Sequence, residues 1–423
     1  MTASSTPRTV AVIGSGVTGL VAAYLLDKKY QVTLFEKNDY LGGHTNTRPV
    51  TDEQGREVPV DTGFIVFNDR TYPLFTTFLD QLGVAVMDAP MSFSYYNPAR
   101  GVQFASQFPT GLFADRKNLF RPWFWQMLRQ ILRFNREARA DLASGRLADL
   151  SLGDYLARNR YGAAFCDYYL LPMAAAIWSS PAEHINRFPC ESFFRFYDNH
   201  GLLSVADQPQ WKTLRGGAVQ YVRAFEKAFS GRIEKNAGVT RVKRSAEGVT
   251  VTATDRPPET FDAAVIAAHA DQALAMLADP DEAEALVLGA WTYSRNATVL
   301  HGDGSFLPPS PRARASWNYL DSGRPDEGVA LTYDMNLLQS LPTARPCLVT
   351  LNSPRPIAAE TIAYQVTYEH PLYDTAALHS QADLPLMRPE RNTYFCGSYC
   401  GYGFHEDGAR AGVTVARQLG VDL

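Results

Sequence analysis

Apolar residues in this chain gather into short unbroken runs, and each run ends at glycine or at a polar turn. Thr9-Val10-Ala11-Val12-Ile13 is β-branched and apolar and predicts a buried strand. Leu20-Val21-Ala22-Ala23-Tyr24-Leu25-Leu26 then predicts a helix, and Gln31-Val32-Thr33-Leu34-Phe35 a second strand. Residues 57–67 alternate, and from about 72 to 200 the pattern is mostly helical and rich in aromatics. Strands return at 239–242, 249–252 and 261–268, separated by polar turns. Trp317-Asn318-Tyr319 and Leu348-Val349-Thr350-Leu351-Asn352 suit a sheet that floors a substrate site, and a last helix runs through Ala416.

The first strand and the helix are joined by Gly14-Ser15-Gly16-Val17-Thr18-Gly19. In a strand-turn-helix, Gly14 permits the tight turn, Gly16 lets a pyrophosphate approach the main chain, and Gly19 lets the helix pack on the strand. Val17 and Thr18 lie in the same turn, ahead of a helix whose N-terminus faces the phosphate charge. Glu36 ends the second strand about 20 residues on, where it can accept from a ribose hydroxyl. A dinucleotide is the expected ligand.

Glu36-Lys37 is followed a short turn later by Gly42-Gly43-His44-Thr45. That continuation resembles the FAD-binding signature of the flavin amine oxidase, protoporphyrinogen oxidase and phytoene desaturase superfamily. The family usually places an arginine after the two glycines, near the cofactor phosphates; His44 would be a weaker, pH-dependent donor there. Asp61-Thr62-Gly63, with Tyr72-Pro73 beyond it, also resembles the family. By the same resemblance, backbone near Val239 meets the adenine. Gly397-Ser398 replaces the usual glycine-acid pair at the ribityl chain, and Phe404 and Gly408 lie where a helix start approaches the flavin. The resemblance implies an α/β fold: a discontinuous Rossmann-like FAD-binding domain (1–71, 205–278 and 386–423) carrying an α+β substrate domain (72–204 and 279–385).

Bulk properties narrow the classes further. A 423-residue chain that is 46% hydrophobic can bury a large core. Its 40 basic and 44 acidic residues give a net charge of −4, which argues against a nucleic-acid partner. Cys166, Cys190, Cys347, Cys396 and Cys400 are an odd, scattered set, expected as reduced thiols. The histidines are dispersed without ligand spacing, so no metal site is expected. With no signal-peptide pattern and no membrane-length apolar run, the expected location is the cytoplasm, with room for peripheral contact at the inner face of the membrane.

Flavin performs the electron transfer, so few side chains are obligatory. Tyr402, His405 and Glu406 are the catalytic candidates, with His405 or Glu406 as acid/base; the plainer reading is that His-Glu-Asp caps the last helix, with Asp407 as N-cap. Trp123, Phe124 and Trp125 precede Arg129, Arg133 and Arg136 at helical spacing beside Leu128, Ile131, Leu132 and Phe134. Residues 116–136 thus read either as a helix packed on the domain core or as one lying in an anionic membrane interface. The segment 168–181 reads as core or as the wall of an apolar channel.

Further stretches, among them Ser294-Arg295-Asn296, Ala315-Ser316-Trp317-Asn318-Tyr319, His370-Pro371 and Gly403-Phe404-His405-Glu406-Asp407-Gly408, resemble a bacterial subgroup of amine oxidase-like proteins. Members of that subgroup accompany cyclopropane-fatty-acid-synthase-like methyltransferases, and relatives act as acyl desaturases leading to furan fatty acids. The resemblance implies dehydrogenation of a methylated or unsaturated acyl chain of a phospholipid, with a methyltransferase as pathway partner. An amine oxidase, a double-bond isomerase and a non-catalytic FAD- or lipid-binding protein are the alternatives.

Overall fold

The parallel sheet is where the apolar runs converge. In the computed structural model, which describes residues 9–147, 150–205, 208–323, 329–387 and 391–423, its strand order is Arg232–Glu234, Gln31–Phe35, Thr9–Ile13, Ala263–Ile266 and Thr393–Phe395, all parallel. Helices cover it, so its central strands are apolar throughout instead of alternating. The helix Val17–Leu26 is buried on nearly every side for the same reason. Its outer face meets the last helix, His405–Gln418, where a Cβ at Gly412 would stand 2.7 Å from the carbonyl of Thr18. A meander of Val239–Ser245, Gly248–Ala253 and Glu259–Phe261 and a hairpin of Thr47–Thr51 and Glu57–Asp61 complete this half.

The second half is built on a seven-stranded sheet in the order Ile362–Pro371, Tyr293–His301, Leu348–Leu351, Leu331–Asp334, Trp317–Leu320, Phe93–Asn97 and Val102–Ala105. It is antiparallel except where Trp317–Leu320 meets Phe93–Asn97. Helices from residues 122 to 199 pack against it around Phe124, Phe134, Tyr155, Phe165, Trp178 and Phe193. Leu170, Leu171 and Ala174 to Ala176 are buried in that core, so this part of 168–181 is packing rather than an open channel wall.

Two details depart from the expected pattern. The helix Pro73–Gln81 packs with the parallel-sheet core through Phe75, Phe78 and Leu79, although it follows the expected boundary at residue 71. In the helix Pro122–Ser144, which starts on a proline and ends at Gly145 with φ of 68°, Phe124, Met127 and Phe134 face inward and Leu132 is exposed. Arg133 leaves the expected basic stripe: it donates to Glu137 at 2.9 Å and to the carbonyl of Asn159 at 2.9 Å. No helix among the described residues is long and apolar enough to cross a membrane, and the five cysteines are free thiols.

Candidate active site

The three glycines of the first turn differ in what confines them. Gly14 has φ of 98°, and a Cβ there would lie 2.5 Å from the carbonyl oxygen of Ala267, just past the end of the neighbouring strand Ala263–Ile266. A Cβ on Gly19 would lie 1.8 Å from the carbonyl oxygen of Gly14. Both are demanded by the fold itself. Gly16 has no atom within 4 Å of its would-be Cβ, so its bareness serves something other than packing. It is also the N-cap of the first helix and provides no side-chain cap, which leaves the amides of Val17 and Thr18 without a side-chain acceptor. An open flank over uncapped helix amides fits a phosphate.

Glu36 is buried at the end of the second strand. One carboxylate oxygen accepts from the Ser15 amide at 3.1 Å and the Ser15 hydroxyl at 2.5 Å; the other accepts from the Asn38 amide at 2.8 Å. The Ala237 amide donates to the Glu36 carbonyl at 2.8 Å, and a Cβ on Gly238 would stand 3.3 Å from Cβ of Lys37. Val239 is therefore brought beside Glu36 and Lys37, forming one end of the groove.

Gly42 and Gly43 both have positive φ, and a Cβ on Gly43 would stand 3.3 Å from Cα of Gly16. The loop carries His44, whose ring stacks on Tyr368 at 4.8 Å and meets His370 at 5.3 Å. Burial holds the His44 pKa down at about 4, so the ring is neutral at pH 7 and brings no positive charge to a phosphate. Its Nε2 is buried without a protein partner. Thr45 exchanges a hydrogen bond with Tyr221 at 2.6 Å and contacts Nε2 of His405 at 3.2 Å.

The C-terminal motif closes the site. Gly397 follows its strand beside Ala268, and the Ser398 hydroxyl has no protein partner among the described residues. His405 opens the last helix with its ring stacked on Phe64 at 3.5 Å, and burial lowers its pKa. Glu406 is committed elsewhere: its carboxylate accepts the amides of Leu74 at 3.2 Å and Phe75 at 2.9 Å, capping the helix Pro73–Gln81. This argues against a free acid/base at that position. Asp407 is not the N-cap: the helix is entered from Phe404, and Asp407, at the third helical position, accepts the Phe404 amide at 3.1 Å from within the first turn. Tyr402 and Phe404 pack on Phe196 at 5.6 and 4.9 Å. Gly408 meets Val17 and Thr18, so the N-terminal ends of the first and last helices converge.

Three histidines that are dispersed in the chain are collected here. His44, His269 and His370 lie within 6.2 Å, ring to ring, of His44, with Tyr293 stacked on His269 at 4.4 Å. His269, Tyr368 and His370 were not sequence candidates, although His370 and Asn296 lie in stretches that resemble the bacterial subgroup. Burial holds His269 at about 4 and His370 at about 3, both below the ordinary 6.5. The unfolded chain therefore takes up protons first as pH falls: this contribution to stability is complete above about 6.5 and is lost toward pH 4. Urea midpoints measured at pH 7 and pH 5 should show a loss of about 1–2 kcal/mol per histidine, smaller in His269→Gln. A cavity of about 400 Å³ lined by Thr9, Gln31, Thr33 and Arg232 opens at the opposite ends of the parallel strands, away from Gly14 and Glu36.

The family model for flavin-containing amine oxidoreductases matches residues 17–330. A 4,4'-diapolycopen-4-al dehydrogenase of Metabacillus indicus is 34% identical over 77 residues, 18% of this chain and 14% of that protein; the chain thus matches only a small part of this relative's length. Among solved structures, wild-type putrescine oxidase bound to putrescine superposes with a TM-score of 0.68 at 18% identity, covering 97% of this chain and 98% of its own. A CLA-producing fatty acid isomerase from P. acnes gives 0.67 at 17%, covering 99% of both chains. A putative protoporphyrinogen oxidase from Exiguobacterium gives 0.67 at 15%, covering 97% and 98%.

Proposed function

The chain belongs to the flavin-containing amine oxidoreductase family, and from that premise we propose that this FAD-dependent oxidoreductase dehydrogenates an acyl chain of a lipid that it meets at an anionic membrane surface. FAD, when bound, supplies the hydride acceptor. Gly16, Val17 and Thr18, in the turn that Gly14 and Gly19 shape, would hold its pyrophosphate, Glu36 its ribose, and Lys37 and Val239 would flank its adenine. Gly42, Gly43, His44 and Thr45 from one side, and Gly397, Ser398, Phe404 and Gly408 from the other, border the ring end.

One face of the substrate half carries the lipid reading. Phe108, Leu119, Phe120, Trp125 and Leu132 are exposed, Phe108 by 79% and Phe120 by 85%. Those from Phe108 to Trp125 form one patch, with Leu132 two helical turns beyond: the Trp125 indole donates to the Leu119 carbonyl at 3.0 Å and its ring meets Phe113 at 5.7 Å. The Phe113 amide in turn bonds the carbonyl of Pro109, beside Phe108. Arg116, Lys117, Arg129 and Arg136 are exposed around it. Asp115, the acid next to Arg116, is already paired with Arg121 at 3.3 Å. Projecting aromatics ringed by cations match an anionic lipid interface.

The test is anaerobic bleaching of the flavin by anionic phospholipid vesicles bearing methylated monounsaturated chains, with putrescine as the amine control. Bleaching by the vesicles alone is expected. Vesicle binding should weaken about 30-fold or more in Arg129→Glu/Arg136→Glu, since each basic residue is worth about 1 kcal/mol at such a surface. Bleaching by putrescine and not by lipid, or unchanged vesicle binding in the double variant, overturns the proposal.

A further inference from the structure

His370 is held by a chain of amides whose orientation is dictated by the main chain. Asn352, at the end of the strand Leu348–Leu351, adopts a left-handed φ of 46° that asparagine tolerates. Its amide donates to the Ala297 carbonyl at 2.7 Å, and its side-chain Oδ1 accepts from the Ala297 amide at 3.0 Å. A main-chain N–H can only donate, so the Asn352 side chain has one permitted orientation. Its Nδ2 therefore faces Oδ1 of Asn296 at 2.7 Å. That fixes Asn296 in turn, and its Nδ2 donates to Nδ1 of His370 at 2.9 Å. Asn296 is 2% exposed, so water does not compete for the bond.

An Nδ1 that accepts from an amide carries no proton, so the neutral ring must hold its proton on Nε2. His44 is the neighbouring ring, and its Nε2 is left buried with no protein partner. The two rings meet edge to face at 5.3 Å beside the Gly42-Gly43 turn. The ring that carries the Nε2–H donor and the ring that carries an unpartnered Nε2 are thus in contact beside the cofactor groove.

We infer that Asn352 and Asn296 are positioning residues that fix His370 as the Nε2–H tautomer, and that this donor, with the unpartnered Nε2 of His44 in the adjoining ring, binds a carbonyl oxygen of a ligand in the groove. The imide edge of the flavin ring and a protonated carboxyl group share that chemistry. The inference rests on the placement of the cofactor groove and not on the lipid reading.

Long-range proton–nitrogen correlation spectra of the histidine-labelled holoprotein test it. In the wild type, His370 should show an unprotonated Nδ1 and a protonated Nε2. Asn296→Asp, which supplies an acceptor in place of a donor, should move a proton onto Nδ1. Asn352→Ala, more remote from the ring, should give a mixture of tautomers and keeps the test decisive if the first variant does not fold. The source of the carbonyl is read from two titrations. A response of the His370 and His44 Nε2 signals when FAD is returned to flavin-depleted protein identifies the cofactor; a response only when octanoic acid is added to holoprotein identifies the substrate side. His370→Phe should weaken binding of the responding ligand about tenfold. A protonated Nδ1 in the wild type, an unchanged spectrum in both variants, or silence in both titrations overturns the inference.

Discussion

Gly16→Val should yield a protein that folds and does not retain FAD. The position has φ of −62° and ψ of 175°, a backbone conformation that valine adopts without strain. No atom lies within 4 Å of the new Cβ, so the flavin-free fold has nothing to displace. The same open flank is where a pyrophosphate must come within hydrogen-bonding distance of the main chain, and two extra methyl groups occupy it. An affinity loss of about 100-fold or more, roughly 3 kcal/mol, is expected. Gly19→Val is the contrasting control. Its Cβ would fall 1.8 Å from a backbone oxygen and 2.9 Å from a backbone carbon of Gly14, so the helix must leave the turn and several kcal/mol of stability are lost along with the cofactor. Flavin content from visible absorbance, read with thermal melts with and without added FAD, separates the two. A Gly16→Val protein that purifies yellow with wild-type flavin content would show that the phosphates do not lie over this turn.

That contrast marks how far the sequence was readable. Gly14, Gly16, Gly19 and Glu36 act within a single strand-turn-helix-strand unit, where spacing along the chain and position in space are nearly equivalent. Each half of the histidine cluster, by comparison, depends on pairing between distant segments. His370 and Asn296 come together because strand Ile362–Pro371 pairs antiparallel with Tyr293–His301, setting Ser294 opposite His370 and Asn296 opposite Tyr368. His44 joins them from the cofactor side. Glu406 shows the same limit from the other direction. A glutamate beside a histidine in a flavin motif invites an acid/base role, and only the folded chain reveals that its oxygens are taken by two amides more than 300 positions away. On the helix Pro122–Ser144, periodicity identified the element but not its rotation. Leu132 and Arg133 are adjacent, and the packing of Phe124, Met127 and Phe134 sends the leucine outward and ties the arginine to Glu137.

The largest stability effect is expected at Arg244→Met. Arg244 lies on the strand Val239–Ser245, and its side chain and that of Glu284 are only 3% and 4% exposed. The guanidinium binds both oxygens of Glu284 and reaches the side chain and carbonyl of Asp279. Glu284 also accepts the Asp281 amide at 2.9 Å as part of a capping box for the helix Glu282–Gly289. Methionine fills most of the aliphatic volume and supplies no charge, so Glu284 is left buried with Arg391 no nearer than 4.0 Å. Breaking such a pair from one side costs about 3–5 kcal/mol, most of it the desolvation of the partner left behind. Asp279 is less affected, because it is 31% exposed and keeps Arg391. The double variant Arg244→Met/Glu284→Met removes the stranded charge and should recover most of the loss, giving a coupling of about 2 kcal/mol or more in a double-mutant cycle by urea unfolding. Additive single losses would mean that the pair is solvated in solution and that the strand is held by its neighbours alone. Since the same strand begins at Val239, beside Glu36 and Lys37, the single variant should also bind FAD less tightly, and the double variant should regain that affinity together with its stability.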